Sequence, residues 1–274
     1  GGGTGTNFVV DYNSRISLSN NDSGTDNTVF GMYAGAALAS GGDDNTIIGD
    51  NAATGLTTGK YNIAIGSGAF DAAVDDESWN VAIGYGAMGA CDQGSHASAD
   101  IDDNVAIGNN ALFGGDLGSG NVNVTQNVAI GYNAMDGTGT LGANNNVFMG
   151  AYAGGGTWTT AESNWNVGIG HSVMTGAMNA SSENTAIGNT ALKVLTTGDN
   201  NVAIGSGAGF AMTDNENNVI IGQGALSTAD AGESGNVVIG RTAGESINNS
   251  GSDNNVIIGL SAGTGGSGAF TECV

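Results

Sequence analysis

The stretch Asn201–Ala208 (NVAIGSGA) is one copy of a motif that occurs thirteen times along this 274-residue chain. Each copy has Asn, a β-branched residue, a small or apolar residue, a large apolar residue, Gly, two variable residues and usually Ala. Successive motif glycines are mostly 17 to 20 residues apart, with two longer intervals of 24 and 23 residues. A short, regular period without a helical pattern is typical of a solenoid. The sequence therefore predicts an all-β fold, a parallel β-roll or β-solenoid of about 13 rungs with one motif per rung.

Each motif predicts a short strand that ends at the Gly, then a second short extended segment and a polar return loop. Side chains alternate between the two faces of a strand. We expect Val202 and Ile204 to fill the core of their rung and Ala203 between them to point outward. The outward column would then be apolar in every rung, and soluble monomers rarely expose such a stripe. We therefore expect a homotrimer with this column at its seam. The column is Val29, Ile47, Ala64, Ala82, Ala106, Ala129, Phe148, Gly168, Ala186, Ala203, Ile220, Val238 and Ile257.

The Asn that opens each motif has a structural interpretation. Stacked amides can donate to and accept from the next rung, which fixes the register of strands that are apolar on both faces. The predicted ladder is Asn27, Asn45, Asn62, Asn80, Asn104, Asn127, Asn146, Asn166, Asn184, Asn201, Asn218, Asn236 and Asn255.

Composition excludes several functions. The formal net charge is −22, with only four Lys and Arg residues, so the chain has no cationic surface for nucleic acid. No apolar run is long enough to insert into a membrane. No nucleophile elbow, phosphate-binding loop or metalloprotease motif is present, so we predict that the protein is not an enzyme.

Four copies, which begin at Asn80, Asn104, Asn127 and Asn201, contain the sequence NVAIG. This motif resembles the head repeat of trimeric autotransporter adhesins, which are left-handed parallel β-rolls of three chains. In its longer rungs, with a Gly- and Asn-rich return, it is also similar to phage tail-fibre shafts. The resemblance covers roughly residues 27–263 and implies a homotrimeric fibre that is extracellular or on a virion surface. The rungs are longer than those of adhesin heads, which favours the phage fibre.

The repeat also sets the domain limits. Residues 1–26 alternate in polarity but lack the motif, which predicts an N-terminal cap or joint. Residues 27–263 form the repeat shaft, and residues 264–274 form a Gly-rich C-terminal tail.

Acidic residues flank the fourth rung, next to two long return loops, Gly89–Asp103 and Phe113–Gln126. We expect these loops to contact a receptor or glycan, or to be tolerated surface insertions. We expect no cofactor, with the possible exception of Ca²⁺: carboxylates on successive rungs could share this ion, or they could form a solvated acidic face. The candidate calcium ligands are Asp75, Asp76, Asp92, Asp100, Asp102 and Asp103.

Aromatic residues and cysteines supply two further candidate sites. Aromatic rings on one edge of the shaft could stack on sugars or pack across the trimer seam, and the candidates are Tyr61, Trp79, Trp158 and Trp165. Cys91 and Cys273 lie too far apart along a stacked shaft for an intrachain bond, so they are free or bond to another chain.

These observations predict a structural fibre or adhesin, a phage tail-fibre-like trimeric rod that presents loops to a cell-surface glycan or receptor. The alternatives are a head-to-tail extracellular filament, linked through its cysteines, and the head of a trimeric autotransporter adhesin. An ice-binding solenoid and a polysaccharide-degrading β-helix have less support, since no Thr ladder follows the glycines and only the acidic loops could supply a catalytic carboxylate.

Overall fold

A computed structural model describes residues 24–92, 100–114, 123–139, 141–158, 161–230 and 232–264. The chain winds into a parallel β-solenoid, as the repeat predicts, and thirteen three-residue strands form one parallel sheet in sequence order. A second sheet has two short strands, β6 and β8, in neighbouring return loops. The strands are β1 (Thr28–Phe30), β2 (Thr46–Ile48), β3 (Ile63–Ile65), β4 (Val81–Ile83), β5 (Val105–Ile107), β6 (Val124–Thr125), β7 (Val128–Ile130), β8 (Ala143–Asn144), β9 (Val147–Met149), β10 (Val167–Ile169), β11 (Thr185–Ile187), β12 (Val202–Ile204), β13 (Val219–Ile221), β14 (Val237–Ile239) and β15 (Val256–Ile258).

The main sheet keeps one register from end to end. Each strand pairs with the same three motif positions of the next rung, so that Ala203 lies opposite Ile220. The backbone N–H of Gly222 donates to the carbonyl of Ile204 at 2.8 Å, and its equivalents recur along the sheet. The hydrogen bonds between rungs therefore run along the axis of the solenoid. We number the rungs 1 to 13 by their ladder Asn, from Asn27 to Asn255.

The predicted assignment of the two strand faces is wrong. Ala203, the middle residue, is 0% exposed, whereas Ile204 is 37% exposed and Val202 is half-buried. The middle residues point into the core. There they pack against a second column of residues, formed by the fourth residue after each motif Gly. In rung 9 this residue is Leu192, which is buried and leaves space for only a small residue such as Ala186.

Bulky middle residues occur where that second column offers glycine. Phe148 fills the core of rung 7, where a Cβ on Gly154 or on Gly168 of the next rung would lie 2.8 or 2.4 Å from its ring. Ile220 packs in the same way beside Gly209. Large and small residues thus complement each other across the core, which keeps it close-packed.

The segment after the motif Gly is a turn, so the prediction of a second extended segment is also wrong. In rung 9, Thr190 and Leu192 have φ of 54° and 46°, and the equivalent residues of the other rungs also have positive φ. The motif Gly itself has φ of 133° to 142°. A Cβ on Gly205 would lie 2.6 Å from the backbone carbonyl of Gly222, so both its φ and the close approach of the next rung require glycine.

Residues 1–23 of the predicted cap and 265–274 of the predicted tail lie outside the described residues. Across the described part of the chain there is no helix of the length and apolarity needed to cross a membrane.

Candidate functional site

The motif asparagines form one continuous ladder inside the solenoid. The backbone N–H and Nδ2 of Asn201 both donate to Oδ1 of Asn184 at 3.0 Å. Nδ2 also donates to the backbone carbonyl of Asn215 at 2.7 Å, which ties the strand to the return loop of its rung. Every ladder residue after Asn27 is buried. These amides are engaged with protein groups, so their arrangement gives them a structural role.

The outer face of the main sheet carries the first and third residues of all thirteen strands. Only Thr28, Thr46 and Thr185 are polar among them, and none is charged. Their exposure ranges from half-buried to 63% at Ile258. Thirteen strands spaced by about 4.8 Å give this apolar face a length of about 58 Å. It replaces the column of middle residues as the large apolar surface of the molecule.

Several of the predicted calcium ligands do come together. Oδ1 of Asp102 accepts a hydrogen bond from the backbone N–H of Ser78 at 2.6 Å. Burial raises the pKa of Asp102, and the charges of Asp100, Asp103 and Asp76 raise it further. Within the described ranges, however, no three His, Cys, Asp or Glu side chains are arranged to hold a metal ion. Calcium binding stays a prediction.

Glu77, beside this cluster, points into the solenoid and is 1% exposed. Its Oε1 and Oε2 accept backbone hydrogen bonds from Val74 at 3.3 Å and Asp75 at 3.0 Å. Burial raises the pKa of the Glu77 carboxyl to about 6 despite those hydrogen bonds. Glu233 of rung 11 has the same place, three residues before a ladder Asn, and is also buried, so two rungs carry an inward-pointing carboxyl group at this position.

Three of the four candidate sugar-stacking rings are exposed. Tyr61 and Trp79 lie on neighbouring rungs, 50% and 55% exposed, and stack with centroids 5.8 Å apart at 17°. Trp165 is 57% exposed, and all three residues have a φ of 57° to 59°. Trp158 is only 2% exposed, so the expectation that it lies on the surface is wrong. Its ring belongs to the buried hydrophobic core.

Cys91 is buried, at 1% exposed, and its Sγ donates to the backbone carbonyl of Leu112 at 3.2 Å. Burial raises the pKa of its thiol to about 12. A thiol that is buried and protonated is a poor nucleophile. Cys273 lies outside the described residues, so the predicted interchain bond stays a prediction.

A cavity that the motif analysis did not identify lies on rungs 2 to 5, on the corner that follows the motif glycines. Its volume is about 310 Å³. The sequence signal that could have indicated this cavity is the pair Gly68 and Gly86. They occupy the second position after the motif Gly in two successive rungs, where the rungs on either side have Asn51 and Asn110. The lining residues are Asn51, Ser67, Gly68, Asp71, Tyr85, Gly86, Gly89 and Phe113.

No family model, curated protein or solved structure matches this chain in the three comparisons with known proteins. Its function must therefore be argued from its own surfaces.

Proposed function

We propose that this protein is a structural, non-enzymatic fibre, a phage tail-fibre-like homotrimeric rod that presents its loops to a cell-surface glycan or receptor. The observation that supports this proposal best is the apolar outer face of the main sheet. Three copies would pack these faces around a common axis, on a virion or outside a cell.

The size of the face supports an interface. It is about 58 Å long and three residues, or about 10 Å, wide, which gives on the order of 600 Å² per chain. Monomeric soluble proteins rarely expose a continuous apolar patch larger than a few hundred Å², and a stable interface buries roughly 800 Å² on each partner. The outer face approaches that value before any flanking residue is counted.

The chemistry of the face also suits association between copies of this chain. Val and Ile columns repeat at one spacing, so equivalent rungs of three chains can interdigitate at the same height. The rest of the surface has a strong net negative charge, which would keep assembled rods apart. Three copies of any weak surface contact would then bind with increased avidity, without a catalytic group.

The filament alternative has less support, because Cys91 is buried and would need local unfolding to bond to another chain.

Light scattering on the purified chain tests the proposal. We expect a mass of three times the 26.8 kDa of one chain. A double variant, Ile107→Lys with Ile204→Lys, places two charges on the outer face and should convert the trimer into monomers with unchanged circular dichroism. The matched control, Asn109→Lys with Ser206→Lys, adds the same charges to exposed positions just after the motif glycines and should remain trimeric.

A wild-type monomer or dimer would overturn the trimeric rod, and a trimer that persists in the isoleucine variant would place the interface elsewhere.

A further inference from the structure

We propose that the cavity on rungs 2 to 5 binds one uncharged pyranose ring of a glycan. This inference deepens the proposed function, since it names the ligand class that the rod would recognise, and it rests on that function for its biological context. It does not require three chains, because the residues given above as its lining all belong to one chain.

The cavity exists because two side chains are missing. Gly68 and Gly86 occupy the second position after the motif Gly in rungs 3 and 4, where rungs 2 and 5 have Asn51 and Asn110. A Cβ on Gly86 would lie 2.7 Å from Oδ1 of Asn110 and 3.6 Å from the ring of Phe113. The two glycines leave a recess between Asn51 and Asn110. Rungs 10 and 11 have the same glycine pair at this corner, but Gln223 of rung 11 stands where rung 4 has Tyr85.

Two aromatic rings border the recess. Tyr85 is 63% exposed and Phe113 is 38% exposed, and both line the cavity. An exposed aromatic face is suited to the apolar C–H face of a sugar ring, and the Tyr hydroxyl adds a polar group at its edge. The rings belong to successive rungs, so they are held in place by the backbone hydrogen bonds of the solenoid.

Polar groups lie beside these rings. The Asp71 carboxylate lines the cavity and is half-buried, and burial raises its pKa above the usual value. Hydroxyl groups donate strongly to a carboxylate. The Asn51 amide can both donate and accept, and the Ser67 hydroxyl can do the same. Adjacent hydroxyls of a sugar need such a mixture of donors and acceptors.

The charge of the lining selects against anionic sugars. The lining includes no Lys or Arg, and Asp71 would repel a uronate, a sialate or a phosphate. At about 310 Å³, the cavity is at the lower end of the range for small-molecule sites, which suits a single ring of a longer glycan. The lining contains one carboxylate, whereas glycoside hydrolysis generally uses a pair, so we infer binding without cleavage.

Saturation-transfer NMR on the intact chain tests this inference with defined probes: methyl glucoside, galactoside, mannoside and N-acetylglucosaminide, with methyl glucuronide as the anionic comparison. We expect transfer to at least one neutral pyranoside and none to the glucuronide. Gly68→Asn should weaken binding about tenfold or more, because it restores at this position the side chain that Asn51 carries on the rung before. Asn tolerates the φ of 62° at this position, and only Asp71 approaches a Cβ there, at 3.7 Å, so the variant should fold.

Tyr85→Ala should also weaken binding, whereas Tyr61→Ala, an exposed aromatic outside the cavity, should leave it unchanged. The inference is overturned if no neutral pyranoside binds, or if Gly68→Asn binds as well as the wild type. It is also overturned if Tyr61→Ala alone abolishes binding, which would place the sugar on the Tyr61–Trp79 stack. Light scattering on the same samples separates the two proposals: a trimer without sugar binding refutes only the cavity, and a monomer that binds sugar refutes only the rod.

Discussion

Rungs 10 to 12 begin at Asn201, Asn218 and Asn236, at intervals of 17 and 18 residues. Their interior is closed by apolar residues such as Met212 and Leu226, both 0% exposed. Rungs 3 to 5 follow the same motif, but the intervals after their second and third ladder residues lengthen to 24 and 23 residues. Here the chain buries Cys91, exposes the Tyr61–Trp79 stack and forms the glycine-lined cavity, whereas both regions bury a glutamate, Glu77 in rung 3 and Glu233 in rung 11.

The backbone frame does not differ between these two regions. The motif Gly N–H donates to an Ile carbonyl of the previous rung at 2.8 Å in both, from Gly84 to Ile65 and from Gly222 to Ile204. The ladder bonds are also equivalent, since Nδ2 of Asn104 lies 3.1 Å from Oδ1 of Asn80 and that of Asn218 lies 3.1 Å from Oδ1 of Asn201. A frame built from five motif positions therefore leaves the other positions free to vary, and the irregular rungs can carry recognition.

The substitutions with the largest expected effect test whether a side chain at the motif Gly destabilises both regions equally. Gly84→Ala and Gly205→Ala would each place a Cβ within 2.6 Å of a backbone carbonyl, at a φ of 135° or 136°. We expect each to lower the free energy of unfolding by about 4 kcal/mol, measured by urea denaturation and circular dichroism. The control Gly207→Ala, which has no neighbour within 4 Å, should lose only about 1 kcal/mol from its φ of 67°. Equal losses in all three variants would show that the close approach of the rungs has no energetic importance.

A second pair of variants compares how much the Asn ladder stabilises the irregular rungs and the regular rungs. Asn62→Ala and Asn201→Ala each remove a buried amide that makes side-chain bonds to the ladder and to a return-loop carbonyl. We expect each to cost about 3 kcal/mol, because the partners are left buried and unsatisfied. Asn189→Ala, at an exposed position, should change stability by less than about 0.5 kcal/mol. A markedly smaller loss at Asn62 would mean that the interrupted rungs have a looser frame, contrary to the equivalence described above.

The smallest expected effect concerns Glu77, whose position is held by Ser181 in rung 8, Gly198 in rung 9 and a second glutamate, Glu233, in rung 11. Its pKa is raised from 4.5 to about 6 in the folded chain, so the folded state binds a proton more readily than the unfolded state. The free energy of unfolding should therefore rise by on the order of 2 kcal/mol as the pH falls from about 6 to 4.5. At neutral pH, the destabilisation caused by the buried, ionised Glu77 should be fully present.

Urea denaturation at several pH values measures this dependence. Glu77→Gln should remove the gain that Glu77 contributes, whereas Glu216→Gln, at an exposed position, should retain it. Identical pH profiles for the wild type and Glu77→Gln would refute the assignment.

Much of the frame could be predicted from the sequence, because Gly205 and Asn201 recur at one spacing and each has a local physical reason. The inner face of the strand could not be assigned by alternation alone, since Val202, Ala203 and Ile204 are all apolar. The decisive signal was longer in range: beside a bulky middle residue, the fourth residue after the motif Gly is glycine in the same rung, as Gly154 is for Phe148, or in the preceding rung, as Gly209 is for Ile220.

The candidate site was harder to predict than the frame. Gly68 and Gly86 look like ordinary turn residues until the rungs are stacked, and only then do they form one recess with Phe113. Trp158 and Cys91 lie in return loops, where no periodic pattern indicates whether a side chain points in or out. The exposed positions of Tyr61 and Trp79 followed the repeat, because both directly precede a ladder Asn.

The direction of the hydrogen bonds between rungs has a mechanical consequence. Because they lie along the axis, tension applied to the ends of the shaft pulls the rungs apart one after another. The 17 residues from Asn201 to Asn218 occupy about 4.8 Å of shaft when folded and can extend to about 60 Å when released. The segment of each rung that opens would therefore become roughly ten times longer than its folded height. Under load, a stiff rod would become an extensible one that absorbs energy in steps.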